Sequence, residues 1–183
     1  VRMLNDQNRV LADAVDEQAE QIAKAVDLIT ERMRRGGRLI YLGAGTSGRL
    51  GVMDSSEIPP TFSMPPEGVV GVIAGGEVAL RGAVEHVEDD ALAAVEQLKA
   101  LGVYQNDVVC GIAASGRTPY VIGGLDYARS VGAGTISVSN NKQSEIGRHA
   151  DVAIEVETGP EALSGSTRLK AGTAQKLVLN LLS

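Results

Sequence analysis

Residues 38–49 read Arg-Leu-Ile-Tyr-Leu-Gly-Ala-Gly-Thr-Ser-Gly-Arg. An apolar run that reads as a strand opens directly into a glycine-rich turn. Gly43, Gly45 and Gly48 fit the spacing G-x-G-x-x-G, the fingerprint of a dinucleotide loop when a strand precedes it and a helix follows. Thr46, Ser47 and Arg49 give the turn a second character, that of a loop for a single phosphate. On both readings the segment predicts a strand, a tight turn and a helix whose first N–H groups face an anion.

Working outward, four further short apolar runs follow, at 69–74, 107–113, 135–138 and 152–156. Helical patterns separate them at about 47–56, 78–100, 119–131, 143–149 and 168–183. Strands alternating with helices predict a three-layer α/β/α sandwich around a five-stranded parallel sheet, buried on both faces. Right-handed crossovers gather the turns that leave the strands at one sheet edge, where ligands of open α/β sheets bind. Upstream, Leu11, Val15, Ile22, Val26, Ile29 and Met33 recur at spacings of three, four and seven. That stripe predicts one long amphipathic helix over about 4–34, ending at Arg34-Arg35-Gly36-Gly37. The expected organisation is a helical segment, 1–36, packed on a domain formed by 37–183.

Composition narrows the function classes. The 183 residues are 44% hydrophobic, enough for one domain with a substantial core. A net charge of −6 argues against a nucleic-acid surface, which needs a basic patch, but leaves room for a small anion held by a few donors. Cys110 is the single cysteine and lies in an apolar run, so it reads as a buried apolar residue. No internal disulfide can form, and a reducing, cytoplasmic compartment is expected. No stretch approaches the ~20 apolar residues of a membrane span. His86 and His149 are too few for a zinc site, and no metal is expected. The start at Val1 and the uncapped apolar run at 177–183 predict a chain cut from a longer one at both ends.

The phosphate loop has echoes. Ser115-Gly116-Arg117-Thr118 follows the strand at 107–113, and Ser164-Gly165-Ser166-Thr167-Arg168 precedes the last helix. Each of the three loops reads alone equally as an ordinary N-cap, since Ser and Thr cap helices, or as a ligand loop. Together at one sheet edge they favour an anionic ligand. A dinucleotide would need an acidic residue about 20 positions on, and Glu77 lies too far along. The expected binding residues are Thr46, Ser47 and Gly48, then Ser115, Gly116 and Thr118, then Ser166 and Thr167. Arg49 and Arg117 could clamp a phosphate or carboxylate, or serve in structural salt bridges. Lys170, a cation in the first turn of a helix, either meets an anion or faces solvent.

Four stretches carry a resemblance: GRLIYLGAGTSGRLGVMDSSEIPPTF (37–62), GVIAGGEVALRGAVEHVEDD (71–90), DVVCGIAASGRTPYVIGGL (107–125) and GPEALSGSTRLKAGTAQKLVLNLLS (159–183). They resemble the sugar isomerase (SIS) domain, and more closely the bacterial N-acetylmuramic acid 6-phosphate etherase family, with glucokinase regulatory protein a more distant member. The resemblance implies cleavage of the lactyl ether of N-acetylmuramic acid 6-phosphate. It also implies no cofactor, a role in cell-wall recycling, and a homodimer with its site near the interface. Two departures stand out. The family's segments before the first helix and after residue 183 are absent, and Ser55 stands where the family often has alanine.

An unactivated ether resists direct hydrolysis. If the sugar opens to its aldehyde, the C2 proton becomes acidic, lactate can leave from C3, and water can add back. Those steps need a base, an acid and donors for enolate-like charge. Carboxylates serve both proton roles if burial raises a pKa towards neutrality. By resemblance the family's proton donor falls on Glu57, and its second active-site glutamate on Glu88. Read alone, Glu57 before Pro59-Pro60 is a surface helix end, with the two prolines stopping the helix, and Glu88 in its acidic run is solvated surface or a helix N-terminal charge. A sugar-phosphate-binding regulator and a phosphosugar isomerase are the alternatives on the same scaffold.

Overall fold

The computed structural model describes residues 1–183. Three helices, α1 (Arg2–Asn8), α2 (Leu11–Asp16) and α3 (Ala19–Arg34), lead into β1 (Leu39–Gly43) and α4 (Gly45–Phe62). Then come β2 (Val69–Ile73), α5 (Gly76–Arg81), α6 (Ala91–Ala100), β3 (Val108–Ala113), α7 (Pro119–Ser130) and β4 (Gly134–Ser139). The chain finishes with α8 (Glu145–Arg148), β5 (Val152–Glu155) and α9 (Lys170–Leu182). The sheet has five parallel strands in the order β2-β1-β3-β4-β5, as the strand–helix alternation predicts. No helix is long and apolar enough to cross a membrane.

The strands are apolar on both faces because both faces are covered. On β1, Leu39 and Tyr41 join a core with α2, α3, α4 and α9, while Ile40 and Leu42 join a second core under α6, α7 and α8. β3 divides the same way, with Val108, Cys110 and Ile112 on one side and Val109 and Ala113 on the other. The strand order places β2 and β3 on opposite sides of β1. The switch in winding direction therefore falls beside β1, and the crevice at the carboxyl ends of the strands opens there.

Three expected boundaries move. The N-terminal stripe belongs to three short helices rather than one. Turns at 9–10 and 17–18 separate them, and Gln18 at the second turn accepts a hydrogen bond from the Glu155 N–H. Each turn advances the chain by nearly a helical step, so the apolar stripe stays in phase and cannot reveal the breaks. Next, α4 runs through Pro59 and Pro60 and ends at Ser63 in the left-handed region (φ 55°). Proline costs that helix its bonds to two carbonyls, yet buried Ile58 and packing on α9 hold it. Finally, the expected helix over 78–100 is α5, a loop containing one turn of 3₁₀ helix at 87–89, and α6. Asp90 starts α6 by accepting from the Leu92 and Ala93 N–H groups, an N-cap signal legible in the sequence.

Candidate active site

A cleft of about 550 Å³ lies over the carboxyl ends of β1, β2 and β3. Its floor is Ala44–Ser47 from the turn after β1, and Ile112–Ser115 with Thr118 from the turn after β3. Its far wall is Ala83–Glu88, from the loop that replaces the expected helix, and Thr167 stands at its rim. The structure thus brings together Thr46, Ser47, Arg49, Glu88, Ser115, Thr118 and Thr167.

The capping alternative fails for all three hydroxyl loops. The residue before α4 is Ala44, and neither Thr118 before α7 nor Leu169 before α9 uses a side chain as a cap. The first N–H groups of α4, at Gly45–Ser47, have no capping side chain and open on the cleft. Ser47 is buried, and its hydroxyl donates to Gln175 Oε1 at 3.0 Å. Gln175 in turn donates to Asn140 Oδ1 at 3.0 Å, and Asn140 donates to the Val156 carbonyl at 3.3 Å. Ser47 therefore leaves its backbone N–H on the cleft side, while its side chain ties α4 to α9.

Gly48 and Gly116 shape the loops without lining the cleft. A Cβ on Gly48 would stand 2.5 Å from the Gly43 oxygen, so this glycine lets α4 start directly on the sheet. Gly116 has φ +70°, and a Cβ there would lie 2.5 Å from that of Ser144. Arg117 is exposed, and its N–H makes a long 3.4 Å contact to Ser115 Oγ.

The last loop departs from expectation. The carboxylate of Glu161 accepts from the N–H groups of Lys170 (3.0 Å) and Ala171 (2.9 Å), and Gly172 N–H bonds the Thr167 carbonyl at 2.9 Å. The start of α9 is satisfied from within. Lys170 is buried, and its ammonium donates to Gln7 Oε1 of α1 at 3.2 Å, so it neither lines the cleft nor faces solvent. Ser166 is half-buried and likewise outside the lining. Sequence reading missed Glu161 and Gln175, because neither spacing nor residue type marks a partner that folding supplies.

Arg49 lines the cleft but is engaged elsewhere. Its Nε donates to the Leu80 carbonyl at 3.2 Å, and its Nη2 to those of Ala79 and Gly82, both at 2.6 Å. Glu57 lies on the exposed side of α4 in a separate groove with Asp54, Phe62 and Lys176. Along the helix axis it stands roughly 16 Å from Thr46 at 1.5 Å per residue. A single chain therefore does not unite Glu57 with Glu88. Beneath that groove, Asp54 is buried and accepts from Tyr41 Oη at 3.0 Å. Burial, reinforced by Asp54, pushes the Tyr41 phenol well up, and burial likewise pushes the Cys110 thiol up, leaving it unsuited to nucleophilic work. No three His, Cys, Asp or Glu side chains gather where they could hold a metal.

Comparison with known proteins agrees with this fold. A family profile described as the glucokinase regulatory protein N-terminal SIS domain matches residues 21–129, and the SIS domain profile matches residues 80–183. The chain belongs to the SIS-domain family. Within it, the chain is 58% identical over 181 residues (99% of its length) to N-acetylmuramic acid 6-phosphate etherase of Mycolicibacterium smegmatis. It is 56% identical over 183 residues to the protein of that name from Lactobacillus acidophilus. It spans 61% of the length of each. Among solved structures, a phosphoheptose isomerase from Francisella tularensis superposes with a TM-score of 0.74 at 19% identity, over 99% of this chain and 94% of that one. The Vibrio vulnificus NanR protein complexed with ManNAc-6P superposes at 0.66 and 16% identity, over 99% and 61%. These two likenesses establish the fold.

Proposed function

We propose that this chain forms the sugar-phosphate-binding body of an N-acetylmuramic acid 6-phosphate etherase, releasing D-lactate and N-acetylglucosamine 6-phosphate. The observation that carries this reading is 58% identity over 99% of the chain to a protein of that name. The cleft suits a phosphosugar. Free N–H groups at the start of α4 face it, with the hydroxyls of Thr46, Ser115 and Thr118 around it. Phosphate binding at a helix N-terminus needs no net basic surface, consistent with a charge of −6.

In the proposed reaction the open-chain aldehyde loses its C2 proton to a base. The electron pair forms a C2–C3 double bond as the C3–O bond to lactate breaks, and an acid protonates the departing oxygen. Water then adds across the double bond, its oxygen to C3 and a proton to C2. Glu88 in the cleft wall and Glu57 take the proton roles. Both are exposed, in separate cavities, in the single chain. The reading therefore includes a homodimer with the site near the subunit interface, which gives Glu57 a route to a cleft that its own chain does not offer. A cytoplasmic location suits a single buried cysteine and a phosphorylated substrate.

A second reading, a sugar-phosphate-binding regulator, draws on the profile match named for a regulatory protein and on the separation of the two glutamates. One experiment separates the two. Purified protein is given N-acetylmuramic acid 6-phosphate, and D-lactate release is followed. On the etherase reading, Glu57→Gln and Glu88→Gln each lose about 10²–10⁴-fold in rate, and mixing the two variants restores part of it through hybrid dimers. Binding of the phosphosugar without lactate release would overturn the etherase reading in favour of the regulator.

A further inference from the structure

The segment 75–90 forms the cleft wall and carries Glu88; Val87 packs it against the core under α6 and α7, and its polar ties to the body are few. It enters α5 through two successive left-handed glycines, Gly75 (φ 83°) and Gly76 (φ 62°). It also contains His86 at φ 66°, a conformation uncommon for a residue with a side chain. Ala79 is its one buried residue, and Ala79, Val84 and Val87 gather in a small knot around Gly75. Hydrogen bonds from Gly82 N–H to the Val78 carbonyl and from Asp89 N–H to the His86 carbonyl stay inside the segment. Between residues 76 and 89, every hydrogen bond to the rest of the molecule comes from Arg49.

We infer that Arg49 is a positioning residue, coupling the phosphate cradle of α4 to the wall that carries Glu88. Three facts support this. The bonded carbonyls, of Ala79, Leu80 and Gly82, sit at the C-terminal end of α5, where carbonyls lack helical partners and a cation is favoured. The guanidinium is planar and rigid, so fixing it fixes the three peptide groups together. Its donors are also largely spent. Both bidentate edges of an arginine, Nε with Nη2 and Nη1 with Nη2, include Nη2, and both Nη2 hydrogens are taken by Ala79 and Gly82. Arg49 therefore cannot grip a phosphate through two parallel bonds without releasing the wall. It follows Gly45–Ser47 within α4, so ordering that helix start around a phosphate also orders the anchor of the Glu88 loop.

The inference rests on the etherase reading for its kinetic consequence, but not for its structural one. The test uses Arg49→Ala, Arg49→Lys and, as a control on the same segment, the exposed Arg81→Ala. Three measurements are made: hydrogen exchange of amides 76–90 without ligand, binding of N-acetylglucosamine 6-phosphate by calorimetry, and kcat and KM for lactate release. Arg49→Ala is expected to lower exchange protection of 76–90 by about tenfold or more, leaving β1 and β3 protected, because local opening is set by the few bonds that hold a segment. It is expected to cut kcat by about 10²-fold, the scale of a small misplacement of a reacting group, with KM and sugar-phosphate affinity within about threefold. Arg49→Lys, which keeps the charge but cannot span three carbonyls, falls between, and Arg81→Ala matches wild type. Should Arg49→Ala fail to fold, Arg49→Lys alone decides by the same signs. A tenfold or larger rise in KM and Kd, with kcat and loop protection unchanged, would make Arg49 a phosphate ligand and overturn the inference. If wild type binds the sugar phosphate but releases no lactate, the etherase reading fails on its own. Unchanged protection of 76–90 in Arg49→Ala then overturns the positioning role, and lost protection sustains it.

Discussion

The N-termini of α4 and α9 lie side by side, and serine, threonine, glycine and arginine gather at both, within the first turn of α4 and just before α9, yet one is open and the other closed. At α4 the residue before the helix is alanine, no side chain caps it, and its first N–H groups face the cleft. At α9 the Glu161 carboxylate takes two of those groups and the Thr167 carbonyl a third. A helix start of this kind attracts one anion. At α9 the chain itself supplies that anion, so a run of Ser, Gly, Thr and Arg at a helix start marks a place for negative charge without saying whose. The open terminus is the one left for the proposed phosphate.

The contrast can be broken in stages. The largest effect is expected at Thr46. If its hydroxyl donates to a bound phosphate, Thr46→Ala forfeits a hydrogen bond to a charged group, about 1.5–3 kcal/mol, or roughly 10–100-fold in affinity for N-acetylglucosamine 6-phosphate by calorimetry. Ser47→Ala is expected to act on the fold as well. It orphans the buried Gln175 Oε1, at about 1–3 kcal/mol in denaturant unfolding. Glu161→Ala uncovers α9. Stability should fall by about 1 kcal/mol, the scale of a lost cap, with sugar-phosphate affinity held within about twofold. A tenfold change in affinity there would show that α9 also meets the ligand, and the contrast with α4 would collapse. Ser166→Ala, at a half-buried site outside the cleft, is expected to shift stability by no more than about 0.5 kcal/mol and to leave binding alone.

Much of this was legible beforehand, and particular residues explain where reading stopped. β1 and β3 announce themselves as apolar on every position, which only a doubly covered strand requires. The turn at Gly43–Gly48 gives away the close start of α4 on the sheet, because a glycine that must approach a backbone oxygen has no substitute. The single helix expected over 78–100 hid the far wall of the cleft. Alanine, leucine and glutamate there suit a helix, and only Gly82 and the Asp90 cap spoke for the break. Pro59-Pro60 misled in the other direction. Local chemistry ends a helix there, and burial of Ile58 carries it on. Lys170 was read against an anion or solvent, and the fold gave it the side-chain amide of Gln7, 163 residues away.

By itself, then, the sequence determined the parallel sheet, the edge at which the cleft opens and the residue types of the turns, since each of these depends on periodicity or on backbone freedom within a few residues. Tertiary structure decided which of the like-composed loops stays open. It turned Ser47 towards Gln175, 128 residues away, and Arg49 towards the α5 carbonyls, 30 to 33 residues on. It also set Glu57 and Glu88 in different cavities. Hydrogen-bond donors are spent on whatever acceptor the fold brings within about 3 Å, and that choice is made only when distant segments meet.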